Sequence, residues 1–286
     1  MSQTSVPVQT LQPLHRRKGH WWRLMRKYLA VLQVSIANNI AYVTEVFFRA
    51  LFLFVLVFIL SQLWQTTYTL RHATLLNGFS IRDMIWYLLA AETIALSMPA
   101  LTKRIDLEVR SGQLAYQLIR PSNYLLYNFA HYLGERLVRL TMNSVVGVIL
   151  ALFIAGVPHL TWAGLLAWPV AVFLAICIEF VAYFCIGLLA FWTEETQSFT
   201  LIFSRLTLVL GGVLAPLDVF PEPFRYIARL LPFSTILYGP ARTLVHFDLT
   251  QFYWLLVQQL ITLGVGIIIL MAVYRIALRR VTVNGG

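Results

Sequence analysis

The chain has 286 residues, 59% of them hydrophobic and only 12% charged, with a mean hydropathy of +0.74. A soluble domain carries about a quarter charged residues, so this composition excludes a globular fold facing water on every side and makes lipid the main solvent. The formal net charge of +10 does not signal nucleic acid, because Lys and Arg stand at the ends of apolar runs instead of forming a patch on a polar fold.

Residues 1–20 contain no continuous apolar core followed by a small-residue cleavage site, so they read as a disordered cytoplasmic tail and not as a signal peptide. From Trp21 to Asn38 the pattern is amphipathic. Trp21, Leu24, Met25, Tyr28, Val31, Leu32 and Ile36 share one helical face, with Arg23, Arg26, Lys27 and Gln33 on the other. Such a helix suits the headgroup layer, although the start of a first span is an alternative. Six stretches then reach the roughly 20 apolar residues that cross a bilayer. They are Ala41–Leu63, Ile81–Leu101, Tyr132–Gly156, Ala163–Trp192, Phe199–Pro216 and Phe252–Tyr274. Cys177 and Cys185 lie in one such run, too far apart on a helix to pair.

With the amino terminus inside, fifteen Lys and Arg fall on the inner side and five on the outer, counting Arg136 and Arg139 as loop residues and leaving Arg49 and Arg205 within spans. The positive-inside rule favours that orientation, which makes both termini cytoplasmic.

Two connections exceed the usual two to eight residues between helices. The first, Thr102 to His131, is cytoplasmic in this orientation. Within it Leu114 and Leu118 share a face, with Ala115 and Ile119 beside them; Gln113, Tyr116 and Gln117 point elsewhere, and Pro121 stops the helix. A short helix of this kind, entered through the permissive Gly112, suits docking on a soluble partner. The second, Ala215 to Thr250, alternates prolines with aromatics. Its Phe220, Phe224, Ile227, Leu230 and Leu231 are spaced as in a helix. It predicts short re-entrant helices in the outer leaflet, capping the bundle, since broken backbone at that depth needs protein or water around it.

Intramembrane charge marks function by default, at roughly 2.5–3.5 kcal/mol per residue on insertion scales. The candidates are Glu92 in the second span and Glu179 in the fourth. They either line a translocation route and attract a cationic substrate, or pair with Arg49 or Arg205 to fix helix register. Glu194 and Glu195 face Arg23–Lys27, a partner, or solvent. Gly211 and Gly212 serve close helix packing or a bend. No phosphate-cradling GxxxxGK[ST] loop, HExxH, CxxC or GxSxG occurs. His131 and Glu135 are the sole His–carboxylate pair one turn apart, and a helix-end role fits them.

The run Arg110-Ser-Gly112-Gln-Leu114-Ala-Tyr-Gln-Leu118-Ile-Arg120-Pro121, followed by Pro216-Leu-Asp-Val-Phe-Pro221, Leu231-Pro232-Phe233 and Tyr238-Gly-Pro240, resembles the type-2 ATP-binding-cassette export permeases. The likeness is to the bacterial branch encoded with a separate ATPase, and it extends from Trp21 to the end as a single permease domain, 21–286. It implies an all-α membrane fold of six transmembrane helices with an N-terminal interfacial helix, a cytoplasmic coupling helix and an outer re-entrant segment, in the bacterial cytoplasmic membrane. It also implies that Gly112, Gln113, Leu114, Tyr116 and Leu118 contact a nucleotide-binding ATPase subunit, with Asp106, Glu108 and Arg110 on the rim. ATP and Mg²⁺ would be held by that partner, and no cofactor by this chain. A second permease, identical or related, completes the assembly, and the fifth span lies between the two. The cargo reads as hydrophobic or amphipathic. An integral-membrane enzyme acting on lipid is the alternative, although Asp218, Glu222, His246 and Asp248 are widely spaced for a site.

Overall fold

The computed structural model describes residues 18–40, 43–119 and 122–283. The expected tail therefore lies almost wholly outside the described residues, as do Arg120 and Pro121. The described chain is helical, and its only strand-like feature is an isolated bridge between Leu76 and Phe79. That bridge closes a tight turn at Asn77-Gly78, both with positive φ, the backbone that an Asn-Gly pair adopts most readily.

Twelve helices follow in order: α1 Lys18–Ile40, α2 Val43–Leu70, α3 Ile81–Leu96, α4 Leu101–Arg110, α5 Gln113–Ile119, α6 Tyr124–Ala155, α7 Trp162–Leu188, α8 Gln197–Leu210, α9 Glu222–Leu230, α10 Phe233–Ile236, α11 Tyr238–Val245 and α12 Leu249–Val283. Five stretches are long and apolar enough to cross a membrane: Leu51–Leu70, Ile81–Arg110, Tyr124–Ala155, Trp162–Phe191 and Leu249–Arg280. The expected sixth span is α8, only 14 residues long. At 1.5 Å per residue it reaches about 21 Å, short of a hydrocarbon core of about 30 Å.

The glycine pair explains where α8 stops. Gly212 has a φ of 71°, its N–H donates to Val209 O, and the Val213 N–H donates back to Leu208 O at 3.3 Å. This left-handed Schellman closure ends a helix. Gly211 also lies where an added Cβ would meet Phe233 O at 3.2 Å. The pair is thus a stop placed against α10 of the same chain.

Each long helix owes its position to a stripe or a cap. Along α2 the buried positions are Leu53, Val57, Leu60, Trp64 and Tyr68, one face at helical spacing, while Phe52, Val55, Ile59 and Leu63 stay exposed. Ser80 and Asp83 form a capping box at the start of α3. Past that cap α3 is buried without interruption from Met84 to Ile94, so it is a central helix. Pro99 has no N–H to continue the ladder, and the chain breaks there before resuming as α4. Asn123 caps α6 and Thr161 caps α7. α7 is the other central helix, packed on α4, α11 and α12. α12 rests mainly on α7, tied by Gln259 Nε2, which donates to Ala171 O and to Thr235 O, both at 2.9 Å.

α1 is not laid out with its apolar face free for headgroups. Tyr28, Val31, Leu32, Ser35 and Ile36 turn inward, and α6 is its main neighbour. The Ser35 hydroxyl donates to His131 O at 2.8 Å. Gly134 makes the close crossing, since a Cβ there would sit 2.8 Å from Leu32 O. α6 also begins eight residues before the expected Tyr132, at Tyr124, because Asn123 caps it earlier than the hydropathy indicates. Arg136 and Arg139, counted with the loop cations although the expected span begins at Tyr132, lie well inside this helix.

Candidate coupling and translocation sites

The α4–α5 segment stands at one end of the bundle, called here the α5 end. Gly112, with a φ of 72°, turns the chain sharply between the two helices. Leu114 is 3% exposed and inserts into the core with Tyr124 and Leu188, and Leu118 packs beside it. That anchoring directs the opposite face outward. Tyr116 is 74% and Ile119 81% exposed, and Gly112, Gln113 and Ala115 are exposed as well.

The charged residues of α4 tie the segment down. Arg110 makes a two-pronged bond to Asp106, Nε to Oδ2 at 2.9 Å and Nη2 to Oδ1 at 3.1 Å, and it also donates to Thr193 O. Thr196 donates to Asp106 Oδ1 at 3.0 Å. Tyr124 donates to Glu108 at 2.6 Å. α4 is thereby latched to the turn before α8 and to the start of α6. His131 and Glu135 turn to different arginines, Arg104 and Arg139 respectively. Among the described residues no three His, Cys, Asp or Glu gather as metal ligands.

Beside this latch lies a cavity of about 510 Å³ lined by Met98, Lys103, Asp106, Arg139, Glu195 and Thr200 among others. It opens where the Pro99 break meets the first turns of α8. Glu195 faces it, and neither Glu194 nor Glu195 makes an ion pair among the described residues.

The two intramembrane carboxylates differ. Glu179 of α7 accepts from Arg136 Nη2 of α6 at 2.6 Å, the side chains 3% and 0% exposed. The expected partners were Arg49 and Arg205. Arg205 is instead exposed on α8 without an ion pair among the described residues, and the side chain of Arg49 lies outside them. Arg136 falls within the expected third span, yet counting it with the inner loop cations removes it from the candidate partners. Glu92 is 3% exposed and makes no hydrogen bond or ion pair among the described residues.

At the opposite end, α9 to α11 fold back toward the bundle. α11 inserts between α3 and α7. Tyr87 donates to Gly212 O at 2.6 Å and Trp64 to Leu214 O at 3.2 Å, fastening this segment to α3 and α2. Acidic residues expected to stand apart are gathered by arginines. Asp218 accepts from Arg229 and from the Tyr238 hydroxyl, each at 2.8 Å, and lies 3.4 Å from Arg242 Nε. Burial, with the Asp218 carboxylate beside it, holds the Tyr238 hydroxyl well above the usual phenol range, so it remains a donor. His246 lies 3.4 Å from Asp83 and stacks on Phe79.

The fold is a helical bundle with five stretches able to cross a membrane, a polar latch and an exposed short helix at one end. A family model described as an ABC-2 family transporter protein matches residues 56–285. The chain belongs to that family and is a multi-pass membrane permease of an ABC transporter, a class that works with an ABC ATPase subunit. No curated protein matches the chain.

Proposed function

We propose that this chain is the permease of an ATP-driven exporter in a bacterial cytoplasmic membrane, with both termini cytoplasmic and α5 docked on a separate ATPase subunit. Moving Arg136 and Arg139 out of the loops leaves thirteen Lys and Arg inside against five outside, so the charge bias still favours this orientation. The observation that carries the reading is the division of labour on α5. Leu114 anchors it, while Tyr116 and Ile119 project at 74% and 81% exposure, more than an isolated surface helix needs. An aromatic and an aliphatic knob side by side fit a cleft on a soluble partner.

Closure of the ATPase pair would move α5, and the Asp106–Arg110–Thr196 latch would carry that movement to α8. A second permease, identical or related, would cover α8, whose Leu201, Ile202, Leu206 and Val209 are exposed around Arg205. The cavity beside the latch would then form the inner mouth of a route between the two permeases, and alternating access would open it outward. Glu92 is the residue we assign to that route, with a hydrophobic or amphipathic cargo. Glu179, already held by Arg136, is assigned to helix register.

The test uses the permease co-purified with its ATPase. Tyr116→Asp should reduce permease-dependent ATP turnover about tenfold, the loss of one contact of about 1.4 kcal/mol, while expression persists. Full turnover and unchanged co-purification with Tyr116→Asp and Ile119→Asp together would remove α5 as the docking element.

A further inference from the structure

The end opposite α5 holds a second cavity, of about 560 Å³, between α11 and the start of α12. Arg225, Arg229 and Arg242 line it, and so do two carboxylates, Asp218 and Asp248. Both carboxylates are engaged within the fold. Asp248 caps α12 by accepting the Gln251 N–H at 2.8 Å, and Asp218 is shared by Arg229, Arg242 and Tyr238. One carboxylate charge is shared here between two guanidinium groups. Arg242 is the one left short. Its ion pair with Asp218 runs from Nε at 3.4 Å, that atom makes no hydrogen bond, and neither terminal nitrogen finds a hydrogen-bond acceptor among the described residues.

The opposite wall is apolar and comes from α12, with Phe252, Trp254 and Leu255. Trp254 is 60% exposed, as is much of α12 below it. That helix has lipid on its free side, and Trp is the residue found at headgroup level. The cavity thus combines a guanidinium fork with spare donors and an apolar wall continuous with the acyl region.

We propose that this cavity binds a phosphoryl group, carried by a membrane amphiphile or free in solution. Planar guanidinium donors match phosphate oxygens in pairs, and a phosphoryl group supplies the acceptors that Arg242 lacks. The site goes beyond the exporter reading, because it holds whichever way the transporter runs and whichever ATPase drives it.

Native mass spectrometry of the full-length chain, exposed in turn to phosphatidate, to diacylglycerol with the same acyl chains and to inorganic phosphate, tests this. The wild type should retain phosphatidate about tenfold better than diacylglycerol, the factor set by about 1.4 kcal/mol, and Arg242→Ala should abolish that preference. Asp218 keeps Arg229 and Tyr238 in that variant, so the fold should survive; Arg242→Lys should recover part of the binding, and Arg225→Gln provides a milder variant of the same wall. Retention of phosphatidate alone identifies a lipid headgroup as the source, and retention of inorganic phosphate as well identifies a site reached from water. Equal retention of phosphatidate and diacylglycerol, or a preference unchanged in Arg242→Ala and Arg225→Gln, overturns the proposal.

Discussion

Glu179 and Glu92 are buried alike, at 2% and 3% exposure, in two regions of the bundle that solve the same problem differently. Between α6 and α7 the carboxylate meets a guanidinium at 2.6 Å, with Tyr132 and Tyr183 one helical turn away on their respective helices. Along α3 the carboxylate has no partner among the described residues. Nearby polarity is short-range: Ser97 donates to Thr93 O, and Asn143 of α6 donates to Ser97 Oγ at 3.2 Å. A closed pair fixes two helices to each other. A carboxylate without a partner leaves its helix able to respond to something that is not yet there.

The largest effect should come from breaking the closed pair. Removing Glu179 by Glu179→Ala leaves the Arg136 guanidinium buried without an anion, and its Nε and Nη1 already lack hydrogen-bond partners. Such a loss costs about 3–5 kcal/mol, measurable by denaturant unfolding in detergent. Replacing both residues, Arg136→Met with Glu179→Leu, should return stability to within about 1 kcal/mol of wild type, because the desolvation penalty disappears with the charges. A single substitution costing less than about 1 kcal/mol would mean that the region is wet and the contrast with Glu92 unfounded.

How much of this contrast was legible beforehand depends on the range of the signal. Both carboxylates stand out in an apolar run, and the membrane class, the short helix after Gly112 and the proline-rich segment follow from local pattern. The Arg136–Glu179 contact spans 43 residues. The charge count put Arg136 with the loop cations although the expected span begins at Tyr132, because three polar residues, Glu135, Arg136 and Arg139, cluster in what are the fourth and fifth turns of α6. The cap at Asn123 was the signal that would have placed them correctly. The length of α8 was similarly hidden. Gly211-Gly212 is followed by apolar residues, so composition runs on past the point where backbone conformation stops. Likewise Asp218, Arg229 and Arg242 come together only because α9 to α11 fold back, which no spacing on a single helix encodes.

A second, smaller effect should separate the regions with opposite sign. Glu92→Met keeps the volume and removes a buried group without a partner, so it should stabilise the chain by about 1 kcal/mol. Transport by the permease–ATPase complex should fall in the same variant if Glu92 serves the route. A gain in stability with full transport would keep the structural contrast and remove the functional one. A loss of stability would show that Glu92 has a donor in the folded chain after all, and the two regions would then be alike.

The smallest effect concerns a side-chain hydrogen bond between α6 and the end of α3. Asn143 is 5% exposed and reaches Ser97 Oγ through Nδ2. Ser97 stands at the end of α3, just before the Pro99 break, so this contact meets the helix where its own ladder stops. Interhelical hydrogen bonds in membranes contribute about 0.6 kcal/mol on average, so Asn143→Ala should lower stability by roughly that amount, far less than Glu179→Ala. The consequence for motion is greater than the energy. With Asn143 gone, α3 keeps its apolar packing against α6 and the donation from Arg139 Nη1 to Met98 O at 2.9 Å, but loses one of the two directional ties at its hinge, and hydrogen exchange should quicken from Ser97 to Leu101 while Arg136 and Glu179 stay protected. Faster exchange at both places would make the bundle one cooperative unit, and the two carboxylates would then report on the same packing.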